Sequence, residues 1–341
     1  MNPMRAELSQ ILDATTIVSP EAFQFAGREF GANEPYSGPA EPTASRRKPP
    51  RIQKLQGCLY WQCYVSRFHG EYQERAWDPD DPSSLAEELA AAIDREPTWD
   101  TDWVIDQVGS KGDIVARKNG AARRFLPGSY LTGTGPGNLP KVQGLATVFV
   151  PPGSNDVQED YYHAFGETVN PHEEHYQILR FYWNVTAEGA SHLFHELASR
   201  LNRFQVPFTM KCVNAAQLFY RADAAVLYVN KRFYPIAALV IADVYESVRR
   251  QLQADTPLFT RPLAPGLAFA EDPQGESFGM NRCGMLAEAM WRSHEKGHST
   301  TAQRLRQVAA HFRARRVSLD RPWLNPGDGS IDPYQFPFKG Q

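Results

Sequence analysis

No uninterrupted apolar run in the chain approaches the roughly 20 residues that a membrane-crossing helix requires. Cysteine is scarce, and Cys58, Cys63, Cys212 and Cys283 include no CxxC pair. Scattered thiols in a reducing compartment explain them better than disulfides or zinc. Charge of one sign is missing as well: 36 basic against 39 acidic residues leave a net charge of −3. No global positive field therefore draws the chain to nucleic acid. The opening MNPMRAELSQILDATT lacks the apolar core and small-residue cleavage site of a secretory signal, so a cytoplasmic protein is expected. There is no GxGxxG after a strand, no Walker P-loop and no GxSxG elbow. The glycine-rich stretch from Gly133 to Gly137 contains Pro136 and lacks a following Lys-Ser/Thr, so it reads as a plain loop. His172/His175 and His192/His195 have i, i+3 spacing but no companion ligands in a recognised motif. Neither metal nor cofactor is expected.

What is present is the composition of a soluble globular chain, 42% hydrophobic and 22% charged over 341 residues. That length buries a large core in one domain or two. Residues 4–13 suit a short helix. The stretch 31–50, rich in Pro, Gly and Ser and ending in Arg46, Arg47 and Lys48, reads as a linker. Residues 1–50 are accordingly expected to form a mobile arm, dispensable for action on a short substrate. Ile52, Leu55, Leu59 and Cys63 recur at helical spacing, and Ser84 with Glu87 forms a capping-box pattern before LAEELAAAID. Asn119-Gly120 between two β-type runs is a hairpin signal.

Three β-prone runs follow, at 145–150, 158–165 and 176–185, then a helix over about 187–204 and strands in PFTMKCV and ADAAVLYV. A long helix spans about 233–253, and two more lie near 282–296 and 299–316. The aromatic, Pro- and Gly-rich tail is predicted to run extended over the surface. The order of runs gives an α+β fold, a mainly antiparallel sheet with helices on one side. The expected divisions are an arm (1–50), a helical and hairpin region (51–135), a catalytic domain (136–316) and the tail (317–341).

Strand alternation singles out candidate chemistry. In YQILRFYWNV, Ile178, Arg180, Tyr182 and Asn184 share one face, and the opposite face is core. Lys211 lies on the non-core face of PFTMKCV. Arg221 and Asp223 precede an apolar strand, and GESFGMNRC places Ser277 and Arg282 at a helix start, where free N–H groups suit an anion. Taken singly, each has a plain reading: a structural arginine, a solvated lysine, an ion pair, a capped helix. Together they supply three guanidinium groups and an amine for a phosphate. A lysine desolvated among arginines would lose basicity and serve as a neutral base.

The succession RFYWNV (180–185), LNRFQVPFTMKC (201–212), YRADAAVLYV (220–229), PLFTRPLAPGLAFAEDP (257–273) and SFGMNRC (277–283) resembles the HopA type III effector family. The likeness covers about residues 140–295. It implies one of two settings. Some members are injected by plant pathogens. Others accompany an aminoglycoside-phosphotransferase-like kinase in class V lanthipeptide and thioamitide pathways. There they eliminate phosphate from phosphoserine or phosphothreonine of a precursor peptide, leaving dehydroalanine or dehydrobutyrine. The resemblance implies Lys211 as the base, Arg180, Arg221 and Arg282 as phosphate ligands, and Asn184, Asp223 and Ser277 in support. The logic is similar to that of the metal-free OspF-type lyases, which use a lysine base and a histidine acid. His163 and Tyr182 are the candidate acids. The alternatives are an effector-like protein that docks a host or peptide partner without catalysis, secreted through a type III system, and an enzyme for another phosphate-bearing substrate.

Overall fold

A computed structural model describes residues 3–31, 48–74, 84–95, 97–118, 121–133, 139–168, 177–327 and 331–338. The chain opens with α1 (Pro3–Ala14) and a small antiparallel sheet of β1 (Thr15–Ser19), β2 (Ala22–Phe25) and β3 (Arg28–Phe30). These first thirty residues are folded, contrary to the mobile arm read from sequence. Leu8, Ile11, Leu12, Phe23 and Phe25 are fully buried in a core shared with the helices described below. Apolar spacing in α1 outweighs the low-complexity stretch that follows it, most of which (32–47) lies outside the described residues.

Next, α2 (Pro50–Leu59) runs directly into a π-helical turn, Tyr60–Tyr64. Then comes α3 (Ala86–Ala91), which begins after Leu85 and has no side-chain cap, so the expected Ser84–Glu87 box does not form; Ser84 instead bridges Ala215. A five-stranded antiparallel sheet follows: β4 (Thr98–Val108), β5 (Ile114–Lys118), β6 (Ala121–Phe125), β7 (Tyr130–Leu131) and β8 (Leu145–Val150), ordered β6-β5-β4-β8-β7. It crosses the boundary expected near residue 135. The β5–β6 pairing has Ile114 opposite Phe125 and Lys118 opposite Ala121, as a hairpin requires. The Asn119-Gly120 turn itself, like most of the glycine-rich loop and the His172/His175 pair, lies outside the described residues.

The central sheet has seven strands: β9 (Gly153–Gln158), β10 (Tyr161–Phe165), β11 (Ile178–Trp183), β12 (Phe208–Val213), β13 (Ala225–Asn230), β14 (Arg261–Ala264) and β15 (Leu267–Glu271). Their order is β14-β15-β11-β13-β12-β10-β9, and every pairing is antiparallel. The run expected as one strand over 158–165 is broken by a turn in which Asp160 takes φ 67°, a left-handed conformation Asp tolerates. Helices α4 (Ala187–Arg203) and α5 (Tyr234–Val248) cover one face, packing Phe194, Leu197, Ile241 and Val244 on Phe181, Met210, Leu227 and Phe269. Helix α2 and the last two helices, α6 (Phe278–Glu295) and α7 (Thr301–Ala314), share a second core with Tyr182, Val226, Ala268 and Ala270 of the other face. The fold is α+β as expected, but helices lie on both faces rather than one. Ala268 and Ala270 of β15, opposite Tyr182 and Arg180, leave room for the second layer. No helix among the described residues is long and apolar enough to cross a membrane.

The described residues of the tail after α7 form no regular element, yet they are not a surface strip. Val317, Leu319, Leu324 and Tyr334 are buried. Arg282, itself fully buried on α6, donates to the carbonyls of Pro322 (2.7 Å) and Leu324 (2.8 Å) and to Asn281. Two predictions follow from this packing. Phe25→Ala should lower unfolding free energy by about 3–5 kcal/mol, measured by denaturant titration, because the ring is enclosed; a change within error would restore the arm reading. Arg282→Ala should cost about 3 kcal/mol and expose the 317–338 segment to limited proteolysis, because two carbonyls lose charged donors; an unchanged proteolysis pattern would remove the clamp.

Candidate active site

The site is set by register. Lys211 of β12 lies opposite His163 of β10 on one side and Val226 of β13 on the other, while Tyr182 of β11 lies opposite Val226 and Ala268. Opposed residues in antiparallel strands project to the same face, so His163, Lys211, Val226, Tyr182 and Ala268 form one row. The neighbouring row on that face is Phe165, Thr209, Tyr228 and Arg180. Arg221 and Asp223 come from the turn preceding β13. The π-helical turn adds Tyr60 and Tyr64, whose rings stack at 5.3 Å, and Tyr64 meets Tyr182 edge-on at 6.4 Å. Such turns widen a helix locally and recur at functional sites. Gly279 makes the approach of α6 workable: a Cβ there would fall 2.4 Å from the Tyr64 ring.

Three cations occupy this face. Arg221 is buried and holds Asp223 through Nε (2.9 Å) and Nη2 (3.2 Å), and Nη2 also donates to the Tyr60 hydroxyl (3.1 Å). Its guanidinium lies over Trp61 and Tyr161. Arg180 pairs with Asp272 at 3.0 Å and lies over Tyr228, while its buried Nε has no hydrogen-bond partner among the described residues. Lys211, half-buried, donates to Gln158 (3.0 Å) and sits 4.0 Å from the Tyr161 ring centroid. The Arg221 guanidinium is 5.7 Å from that same centroid, so the two charges are within 9.7 Å of each other. Two carboxylates thus face three cations, and aromatic faces supply part of the remaining compensation.

This crowding alters basicity. Burial lowers the Lys211 pKa to about 7; Asp223 opposes the shift, and Arg221 and Arg180 reinforce it. The amine is therefore partly neutral near pH 7. His163 is pushed down to about 4 by burial and by Lys211, so its imidazole is neutral and its Nε2 has no partner among the described residues. Burial raises the pKa values of Tyr60, Tyr64, Tyr161, Tyr182 and Tyr228, keeping every phenol protonated. The buried Tyr182 hydroxyl lies near Tyr64 and Arg180 without hydrogen-bond alignment to either.

The structure thus gathers Arg180, Tyr182, Lys211, Arg221, Asp223 and His163. It gives the others different work. Arg282, expected as a phosphate ligand, donates to the Pro322 and Leu324 carbonyls of the tail and to Asn281. Ser277 caps α6 by accepting from the Met280 amide, and Asn184 donates to the Asp255 carbonyl. His192 and His195 contact Gln251 and the Ala92 carbonyl. Sequence reasoning missed Tyr60, Tyr64, Tyr161 and Tyr228. The spacing of Tyr60 and Tyr64 in YWQCY and the alternation of Val226 and Tyr228 were the available signals.

No curated protein matches the chain. Two solved structures share part of it. One, an effector protein from Pseudomonas syringae pv. tomato strain DC3000, is 20% identical, with a TM-score of 0.39, covering 49% of this chain and 63% of that one. The other, an effector protein from Pseudomonas syringae pv. syringae strain 61, is 18% identical, with a TM-score of 0.35, covering 48% and 62%. The chain therefore spans less than two thirds of either. The model of the HopA1 effector protein family matches residues 153–324, slightly more than half of the chain, and that span holds every cation and carboxylate of the site. The chain belongs to the HopA1 effector protein family.

Proposed function

We propose that the protein is a metal-independent lyase that eliminates phosphate from phosphoserine or phosphothreonine in a precursor peptide, leaving dehydroalanine or dehydrobutyrine. The observation that carries this reading is the placement of Lys211 in one row with His163 and Tyr182 and against the same Tyr161 ring as Arg221, where burial and the neighbouring arginines lower its pKa to about 7. Neutral Lys211 takes the Cα proton. The electrons of that C–H bond form the Cα=Cβ double bond, and the Cβ–O bond breaks with its electron pair leaving on phosphate. Arg180 and Arg221 have the charge and donors to receive that phosphate, and the buried Nε of Arg180 has no hydrogen-bond partner among the described residues. Tyr182 is the better proton donor to the leaving oxygen, because its phenol stays protonated while His163 is neutral at working pH. An aminoglycoside-phosphotransferase-like kinase would supply the phosphopeptide, and both proteins would work in the cytoplasm.

One observation favours the second reading, an effector-like protein that binds a partner without chemistry. Both arginines already hold carboxylates, Asp272 and Asp223. A phosphate must then share the guanidinium groups rather than find them empty. The readings separate on Lys211. In the lyase, Lys211→Ala should abolish loss of phosphoric acid from a phosphorylated precursor by mass spectrometry while the protein stays folded, a drop of at least about 10²-fold. Full activity in that variant would exclude Lys211 as base. Since only the neutral amine accepts a proton, kcat/KM should climb with pH below about 7 and level off above it. A chelator should not alter the rate. A rate that falls as pH rises from 6 to 8 would contradict the base assignment.

A further inference from the structure

The five-stranded sheet lies outside the span matched by the HopA1 family, yet it reaches the edge of the site. Arg123 of β6 lies opposite Ala116 and shares a face with Phe125, both buried in the core of that sheet. Its guanidinium sits 5.1 Å from the ring centroid of Phe165, the residue that ends β10 and heads the row Phe165, Thr209, Tyr228, Arg180. Arg95 converges on the same point, donating to the carbonyls of Phe165 and Gly166 at 3.4 Å each. Lys118 is the third cation here. Against these three, the described residues set Asp100, which is already engaged by Lys118 and by the Trp103 indole N–H.

Among the described residues the Arg123 guanidinium makes neither a hydrogen bond nor an ion pair, although the residue is half-buried. Burial and the adjacent Arg95 both lower its pKa, with only Asp100 opposing. A guanidinium desolvated beside a second one is unfavourable without an anion. Phe165 lies one strand over and two residues along from Lys211, so strand spacing puts the Arg123 guanidinium on its ring about 10–15 Å from Lys211. An extended peptide advances about 3.3 Å per residue, so that gap corresponds to about three or four residues.

We propose that Arg123, with Arg95 beside it, forms a second anion subsite that takes a phosphorylated or acidic side chain about three or four residues from the reacting phosphoserine or phosphothreonine. This rests on the lyase reading of the central site. It makes substrate choice a property of the sheet outside the family-shared region, and it narrows the substrate class to peptides with clustered negative charge.

The test uses Lys211→Ala protein, so that peptides bind without turnover, and fluorescence anisotropy. Three labelled phosphoserine peptides differ only at positions four residues to either side, which carry Ala, Glu or phosphoserine. The acidic or phosphorylated flank should tighten binding about tenfold over Ala. That ratio should fall towards one when Arg123→Gln is added, and survive when Arg123→Lys is added. Gain with phosphoserine alone identifies a second phosphate as the ligand, and gain with both identifies anionic side chains in general. Binding of the Ala-flanked peptide shows that each variant is folded. Equal binding of all three peptides, or a ratio unmoved by Arg123→Gln, would overturn the subsite and leave the lyase reading standing. Failure of every phosphopeptide to bind would overturn both.

Discussion

Placing three cations on one face of a sheet beneath a layer of helices is unfavourable unless each is compensated where it stands. Here compensation is unequal. Arg221 grips Asp223 with two nitrogens and stacks on aromatic rings, and Arg180 holds Asp272 with one. Among the described residues, Lys211 contacts the amide oxygen of Gln158 and the face of Tyr161, with Asp223 acting at longer range. The least compensated cation is the one whose charge is weakened, and that imbalance turns an ordinary lysine into an amine able to accept a proton near neutrality.

Much of the surrounding architecture fixes the two carboxylates. Asp272 follows β15, and the strand end is held by the tail. The Glu271 amide donates to the Trp323 carbonyl at 2.8 Å, Asn325 donates to the Asp272 carbonyl at 2.7 Å, and Tyr334 bonds the Glu271 carboxylate. Arg282 clamps the carbonyls on either side of Trp323. Arg282 thus supports the segment that positions the partner of Arg180. On the other flank, the Ala222 amide bonds the Val65 carbonyl just beyond the π-helical turn, tying the Arg221–Asp223 turn to the helix that brings Tyr60 and Tyr64.

The sequence carried the parts of this site that obey strand periodicity. Alternation in YQILRFYWNV put Arg180 and Tyr182 on one face, and the same period put Lys211 away from Phe208 and Met210; the register then sets Lys211 and Tyr182 in one row across Val226. Contributions from elsewhere were illegible. Nothing local announces that α2 widens into a π turn, or that Tyr161 and Tyr60 meet Arg221, because these are contacts at long sequence separation. The carbonyl partners of Arg282 are illegible for a related reason: Pro322 and Leu324 lie about 40 residues further along the chain. The second helical layer and the folded first thirty residues are hidden in the sequence because Tyr182, Val226, Ala268 and Ala270 come together with α1, α2, α6 and α7 only through contacts at long sequence separation.

The central claim is a physical one, that the Lys211 amine loses its proton near neutral pH in the folded protein. Its most direct test is an NMR titration of lysine side chains labelled at the ε-carbon, with Lys211 assigned by Lys211→Ala. One lysine signal absent from that variant should titrate with a midpoint of about 7. A Lys211 signal that stays charged until about pH 10.4, the ordinary value for a solvated lysine, would contradict the claim and with it the proton-abstracting role.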